Sequence, residues 1–257
     1  MGVRGETAGM WVERWERQQR RYAVDREERF TVISDVVEHL CAGRDRPLLL
    51  DLGCGPGSMA ARLARRLPRA EIIAVDTDPL LLELARAHHG DAARYVDAVI
   101  GRDGWTDALA PGRAPDLAVS TTALHYLPVP VLLRTYRDLA ALLRPGGALI
   151  NGDHFPPEER SCSDLTAVVG RRRTERAGGH GDEDWEAWWK AAAADPELAE
   201  LFERRERSRP SFDAEHGEGN RDLSVHRHTE LLRRAGFRHV TPVWQVGDSV
   251  VLVAVKD

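Results

Sequence analysis

The sequence predicts an α/β fold in which helices flank a mostly parallel, seven-stranded sheet that ends in an antiparallel hairpin. From residue 48 onward, short apolar runs alternate with helical patterns, which is typical of parallel strands joined by right-handed crossovers. A glycine-rich turn follows the first apolar run. Near the C-terminal end, two apolar runs are joined through Gly247 and Asp248, which predicts the hairpin.

The predicted strands are short apolar runs, and amphipathic helices separate most of them. Helices are expected at residues 58–67, 79–90, 129–143 and 229–235. Asp78 is a suitable N-cap for the second of these, and Pro79 is a favourable first helical residue. The strands are expected at residues 48–52, 71–75, 93–98, 115–120, 148–151, 239–245 and 249–255.

Helical patterns also lie outside this alternation. Residues 10–42 carry tryptophans and aliphatic residues at helical spacing. Residues 155–222 interrupt the strand–helix order and contain Trp185, Trp188 and Trp189, which share one helix face. We therefore divide the chain into an N-terminal helical extension (residues 1–45) and a main domain (residues 46–257) with a helical insertion at about 155–222.

Composition argues against several classes of function. The chain of 257 residues has a formal net charge of −5, so no basic footprint indicates a nucleic-acid partner. Its three cysteines lack the spacing of a metal site or a disulfide framework, and no metal is expected. No apolar run reaches membrane-spanning length, and the N-terminal residues do not resemble a signal peptide. We therefore expect a reduced, cytoplasmic protein without a membrane partner.

The glycine turn is the strongest chemical signal. Residues 53–57 read Gly-Cys-Gly-Pro-Gly between a predicted strand and a predicted helix, which is the geometry of a nucleotide-type cofactor site. Glycines let the backbone approach a ligand, and the free N–H groups at the helix start face it. Asp51 lies at the strand end, and Asp76 ends the next apolar run, where a carboxylate can accept hydrogen bonds from two ribose hydroxyls.

Three further segments complete a family pattern. They are Ala-Leu-His-Tyr-Leu at residues 123–127, Leu-Arg-Pro-Gly-Gly at 143–147 and Ala-Gly-Phe at 235–237. Together with the acidic residue before Gly-x-Gly-x-Gly and with Asp76, they resemble the class I S-adenosylmethionine (SAM)-dependent methyltransferases of the small-molecule type. The resemblance covers residues 48–256. It implies a Rossmann-like fold with a helical lid, SAM as the cofactor and S-adenosylhomocysteine as its product.

The resemblance also implies which residues hold SAM. The candidates from the main domain are Asp51, Gly53, Cys54, Gly55, Gly57, Asp76, Thr77, Asp97 and Thr121. From the extension, Tyr22 and Arg29 could cover the site, and an arginine is a good bidentate partner for the SAM carboxylate. The alternative is that the extension is a surface helix with buried tryptophans.

Two of these assignments have alternatives within the same stretch of chain. Cys54 lies inside the turn and could instead only pack. Relatives often carry an acidic residue after the third strand that bonds the adenine amine, and alignment places Val99 there rather than Asp97. Asp103 or Trp105 could flank adenine, or Trp105 could pack beneath a loop.

The ends of the fourth and fifth strands provide candidates for acceptor contact or proton removal. His125 could orient an acceptor or take its proton, because histidine as a residue type titrates near working pH, although a histidine here could also be structural. Asp153 and His154 form a carboxylate–imidazole pair that could act as a base or only stabilise a loop. Tyr126, Trp185 and Trp188 are the candidates for acceptor binding, with helix docking as the alternative for the tryptophans.

The implied reaction is transfer of the SAM methyl group to an O, N or C nucleophile of a small-molecule acceptor, with secondary metabolism as the expected context. A homodimer is one option for the oligomeric state. A protein that retains the fold and binds SAM without methylating is a second hypothesis. A third is an NAD-type oxidoreductase, which shares the glycine turn and Asp76. Ser58 at the third glycine position and the terminal hairpin argue against the third hypothesis.

Overall fold

The computed structural model describes residues 2–22, 25–176, 183–216 and 219–257, without the side chains of residues 21–22, 160 and 209–216. The described residues form one seven-stranded sheet. Its strands are β1 (Leu48–Leu52), β2 (Glu71–Asp76), β3 (Arg94–Asp97), β4 (Leu117–Thr121), β5 (Ala148–His154), β6 (Phe237–Val246) and β7 (Ser249–Lys256). The helices are α1 (Gly5–Tyr22), α2 (Arg26–Leu40), α3 (Ser58–Arg66), α4 (Pro79–His89), α5 (Trp105–Leu109), α6 (Val129–Leu142), α7 (Ser163–Arg176), α8 (Trp185–Ala193), α9 (Ala199–His216) and α10 (Val225–Ala235).

The strand order, β3-β2-β1-β4-β5-β7-β6, confirms the predicted fold class. Strands β1 to β5 are parallel, and β7 runs antiparallel between β5 and β6. From β1 the chain builds outward in one direction through β2 and β3, and then returns to build in the other direction from β4. The carboxyl ends of β1 and β4 therefore flank a topological switch point, which is where open α/β sheets bind ligands.

Alternating side chains along β1 explain the helical layers on the two sides of the sheet. Leu48, Leu50 and Leu52 pack in a cluster with residues of α5, α6 and α10. Leu49, between them, packs in a second cluster with residues of α2, α3 and α4. The strand is buried along its whole length, as expected for a central parallel strand covered on both faces.

A third apolar cluster joins the extension to the insertion. Trp11 and Trp15 of α1 pack against Trp188 of α8, with ring centroids 5.5 and 5.0 Å from that of Trp188. The Trp11 indole N–H also donates to Asp195, which follows α8, over 2.8 Å. Apolar residues of α4 and α9 complete the cluster. The two helical segments, far apart in sequence, thus form one layer on the main domain.

This packing shows that the prediction of Trp188 as an acceptor-binding residue is wrong. Its side chain is wholly buried among other tryptophans, so it docks α8 and has no face free for a ligand. Trp105 is also a packing residue, since it is buried and its indole N–H donates to Asp138 over 2.8 Å. Among the described helices, none is both long enough and apolar enough to cross a membrane.

Strand β5 is longer than predicted, which changes the orientation of two candidate residues. The sequence indicated a strand ending at Asn151, whereas β5 continues to His154 because each added residue pairs with β7, through Asp153 with Val250 and His154 with Ser249. Successive side chains on a strand point to opposite faces. Asp153 and His154 therefore lie on opposite faces of the sheet.

We predict that Trp188→Ala lowers the free energy of unfolding by about 3–5 kcal/mol, the usual cost of truncating a buried aromatic side chain. Urea unfolding followed by far-UV circular dichroism measures the change. Trp185→Ala is the matched control, because Trp185 is on the same helix but 38% exposed; we expect it to cost about 1 kcal/mol. Equal losses in the two variants would contradict the docking role of Trp188.

Candidate active site

The loop between β1 and α3 requires its glycines for both backbone conformation and space. Gly53, Gly55 and Gly57 have φ values of 69°, 53° and 85°, in the left-handed region that favours glycine. A Cβ on Gly53 would lie 2.3 Å from Cβ of Ala123, and one on Gly57 would lie 2.7 Å from the Tyr95 hydroxyl. The glycine motif is therefore needed for this loop to pack against its neighbours.

Asp76 fixes the loop from the end of β2. Its carboxylate accepts backbone N–H groups from Gly55 at 2.7 Å, Thr77 at 2.8 Å and Asp78 at 3.0 Å. Burial raises its pKa to about 6, even though these hydrogen bonds favour the ionised form. A carboxylate has about four acceptor sites, so one remains for a ligand hydroxyl. Asp76 thus lies where the sequence predicted the ribose ligand.

Asp51 and Cys54 are structural residues beneath this loop. The Asp51 carboxylate is almost fully buried and accepts the backbone N–H of Ala60 at 3.0 Å, which ties the end of β1 to the first turn of α3. Burial also raises the pKa of the Cys54 thiol, which packs in an apolar cluster. We therefore correct the prediction that these two side chains bind the cofactor: neither is exposed to a ligand.

A cavity of about 300 Å³ lies at the carboxyl ends of β2 and β3, within the size range of small-molecule sites. Thr77 and Asp97, both predicted cofactor ligands, contribute to its wall. The remaining lining residues are Pro79, Val99, Arg102, Arg204 and Ser208. Because Thr77 follows Asp76, the cavity adjoins the predicted ribose site. Helix α9 of the insertion supplies one wall, through Arg204 and Ser208, two residues that the sequence analysis did not name.

His125 and Asp153 form a hydrogen-bonded pair at the ends of β4 and β5. The His125 Nδ1 atom lies 2.9 and 3.0 Å from the two carboxylate oxygens of Asp153. Burial of Asp153 opposes its ionisation, but the hydrogen bond and charge of His125, together with the charge of Arg29, outweigh it, and the pKa of Asp153 lies below its ordinary value. An ionised carboxylate only accepts, so Nδ1 donates and Nε2 of the neutral ring is left as a proton acceptor.

The prediction that Asp153 pairs with the His154 side chain is therefore wrong, because the histidine that pairs with Asp153 is His125. His154 Nδ1 lies 3.3 Å from the carboxylate of Asp248, and its backbone N–H alone contacts the Asp153 carboxylate, at 2.9 Å. Tyr126, a predicted acceptor-binding residue, is 41% exposed and its ring lies 4.2 Å from that of His125. The structure thus brings His125, Asp153 and Tyr126 together.

Comparison with known proteins shows that this chain is similar to methyltransferases. Residues 49–147 match the family model of a methyltransferase domain. A trans-aconitate 2-methyltransferase from Methylobacterium radiotolerans is 43% identical over 102 residues, which are 40% of this chain and 36% of the relative. One from Streptomyces coelicolor is 33% identical over 165 residues, 62% of this chain and 51% of the relative.

These matches bear out the predicted resemblance to the class I SAM-dependent methyltransferases. The human N-acetylserotonin methyltransferase, solved in complex with SAM, has the same fold, with a TM-score of 0.53 and 18% identity over 94% of this chain and 56% of that one. The comparisons confirm the family resemblance and, with it, SAM as the cofactor that the family implies. The chain spans between a third and a half of the two trans-aconitate relatives.

Arg29 lies on α2, in the N-terminal extension. It is 1% exposed and packs against β5, where a Cβ on Gly152 would lie 3.1 Å from its Cδ. Its Nη1 atom is 3.4 Å from the Ser249 hydroxyl, and burial lowers its pKa to about 10, an effect that Asp153 opposes. The prediction that Arg29 binds the SAM carboxylate is therefore wrong, because its side chain is buried against β5, where its charge helps to lower the pKa of Asp153.

The remaining predicted residues have mixed outcomes. Thr121 ends β4 half-buried, at the switch point. Thr122 follows with a φ of 49°, an uncommon, strained conformation for a β-branched residue, just before the turn that carries His125. Trp185 lies on Trp15, with ring centroids 5.2 Å apart. Tyr22 ends α1, and its side chain lies outside the described part of the structure.

Glu16 of α1 is a site residue that the sequence analysis missed. Its carboxylate accepts the Ser58 hydroxyl at the start of α3 and pairs with Arg26 and Arg62. Burial opposes its ionisation, but the two arginines lower its pKa to about 2. Trp15, beside it, lies 4.0 Å from the position of a Cβ on Gly55. The extension therefore lies against the glycine loop, on the side of the chain that the family resemblance implied, but through Trp15 and Glu16 and not through the residues that were predicted.

The part of the chain that the structure describes contains no cluster of side chains suited to bind a metal ion. No group of three or more His, Cys, Asp or Glu side chains is arranged there to hold an ion. The two histidine–carboxylate pairs described above are separate pairs, on the two sides of β5.

We predict that Asp51 makes stability fall as pH rises. Burial raises its folded-state pKa from 3.8 to about 7, so between these values the folded protein holds a proton that the unfolded chain releases. The stabilising effect of this proton on Asp51 is therefore complete below pH 3.8 and is lost as the pH rises through about 7. Urea unfolding of the wild-type protein and of Asp51→Asn across this pH range tests the prediction. The free energy of unfolding of the wild-type protein should fall relative to that of the variant as the pH rises. A difference independent of pH would contradict the prediction.

Proposed function

We propose that this protein transfers the methyl group of SAM to an O, N or C nucleophile of a small-molecule acceptor. The observation that carries the proposal is the contact between the glycine loop and the turn that holds His125, made by Gly53 and Ala123. This contact brings a loop suited to SAM next to a histidine whose Nε2 can accept a proton. A methyltransferase acting on a protonated nucleophile needs these two elements side by side.

The residues present fit SAM in three parts. Asp76 has an acceptor site for the ribose hydroxyls, and the cavity beside Thr77 suits the adenine ring. The glycine loop, where the backbone can approach closely, suits the amino-acid end. When bound, SAM supplies a methyl group already activated by the sulfonium. The protein then has to orient the acceptor, exclude water and manage one proton.

His125 is the proposed proton acceptor. Its Nε2 would take the proton from the acceptor nucleophile, while Asp153 holds the ring by Nδ1 and stabilises the positive charge that develops. Tyr126 lies against the imidazole ring and is half-exposed, so it can contact the acceptor. This arrangement favours acceptors with an O–H or N–H group, whose proton must leave during the reaction.

We further propose that the extension and the insertion together form a lid. Trp15 and Glu16 approach the glycine loop from α1, and Arg204 and Ser208 of α9 line the cavity. The proposed role of His125 makes hydroxylated and amino small molecules the first acceptors to test. The relatives named for trans-aconitate add this acid to the set, although its ionised carboxylates carry no proton for His125 to remove. A cytoplasmic role in secondary metabolism is part of the proposal.

We predict that SAM and S-adenosylhomocysteine stabilise the protein against heat, whereas NAD(H) does not. A ligand at a hundred times its dissociation constant adds about 2.7 kcal/mol of stability, which a thermal-shift titration detects. Asp76→Ala should lose the effect because it removes the ribose contact. Asp91→Ala, an exposed carboxylate after α4, is the control and should keep it. A shift with NAD(H) alone would overturn the cofactor assignment, and so would the absence of a shift with all three ligands.

We predict that His125→Asn lowers kcat by about a hundredfold to ten-thousandfold, the usual contribution of a general base, once an acceptor is identified. Calorimetry should show unchanged affinity for S-adenosylhomocysteine, because His125 is not needed for its binding. His154→Asn is the matched control, since His154 pairs with Asp248 on the other face of β5. If His154→Asn lost activity and His125→Asn did not, the assignment of the base would be reversed.

A further inference from the structure

The chain returns from the insertion directly onto the turn that carries His125. Residues 124–126 form a short 3₁₀ helix at this turn, and Gly219 packs against it from outside. A Cβ on Gly219 would lie 2.2 Å from the His125 carbonyl oxygen and 3.0 Å from Cα of Tyr126. No side chain larger than hydrogen fits here without moving the turn.

The next residue, Asn220, binds three carbonyl oxygens of the same turn. Its side-chain amide N–H groups donate to Leu124 at 2.8 Å and to Leu127 at 2.6 Å. Its backbone N–H donates to the His125 carbonyl at 2.8 Å. Asn220 is 4% exposed, so these hydrogen bonds are shielded from water. Because both side-chain partners are carbonyl groups, the orientation of the amide is determined.

The turn has few hydrogen bonds of its own to fix its position. The backbone N–H groups of Tyr126 and Leu127 each donate three residues back, at 3.1 Å. The strained Thr122 precedes them, so the local sequence does not favour this path. The three hydrogen bonds from Asn220 therefore hold the backbone beneath His125. They act through the backbone of the turn and not through the imidazole.

We propose that Asn220 is a positioning residue for His125: it holds the turn so that Nδ1 meets Asp153 and Nε2 faces the acceptor. It acts through the backbone and touches neither SAM nor the acceptor. The placement of the base then depends on the insertion, which delivers Asn220. The proposal rests on the proposed function for the role of His125, and its test separates the two.

The first experiment measures the His125–Asp153 hydrogen bond without turnover. Proton NMR in water should show a downfield Nδ1–H signal, assigned by its loss in His125→Asn. In Asn220→Ala this signal should be lost or broadened by exchange, while the far-UV circular dichroism spectrum and S-adenosylhomocysteine affinity stay unchanged. Gly219→Ala is a second variant that displaces the same turn. Asp222→Asn, at an exposed neighbouring position, should retain the signal.

The second experiment measures catalysis with an acceptor found by screening. Asn220→Ala should lower kcat by about tenfold to a hundredfold, the cost of a small misplacement, with little change in the acceptor KM. Retention of the NMR signal in both Asn220→Ala and Gly219→Ala would overturn the proposal, as would full activity in Asn220→Ala. If no acceptor reacts with the wild-type protein, the proposed function fails while the NMR result still decides the role of Asn220.

Discussion

The close packing of Gly53 against Ala123 is the constraint on which the rest of the site depends. Strands β1 and β4 are hydrogen-bonded neighbours, with Leu52 paired to Ser120, and their chains leave the sheet at the same edge. With no Cβ at Gly53, the two loops can touch. A larger residue would push them apart and would separate the loop suited to SAM from His125. The spacing between these two loops is thus set by a backbone contact.

Buried carboxylates near this contact have different tasks because their surroundings differ. Asp51 meets one backbone donor, and burial raises its pKa. Asp153 is equally buried, but the hydrogen bond from His125 and the positive charge of Arg29 keep its pKa low. The first carboxylate ties a strand to a helix, and the second can orient a base. Environment therefore separates structural from chemical carboxylates, as it does in enzymes that use paired acids.

The helical layer connects two distant parts of the chain to the site. Trp11, Trp15 and Trp188 join the extension to the insertion, and each segment also approaches the site: Glu16 at the start of α3, and Asn220 at the His125 turn. Neither segment could bury its apolar face alone. A change in this layer should therefore reach both the start of α3 and the turn that carries His125.

The sequence by itself determined the sheet, the glycine loop and Asp76, because these depend on local patterns: apolar alternation, φ values that only glycine tolerates readily, and an acidic residue at a strand end. The partner of Asp153, by contrast, was decided by tertiary structure. Pairing with β7 extended β5 by three residues, so the Asp153 side chain meets His125, in the turn after β4, and not its sequence neighbour His154. Asn220 and Trp188 were decided in the same way, because their partners come from distant segments, and spacing along one segment carries no information on which distant segment will pack against it.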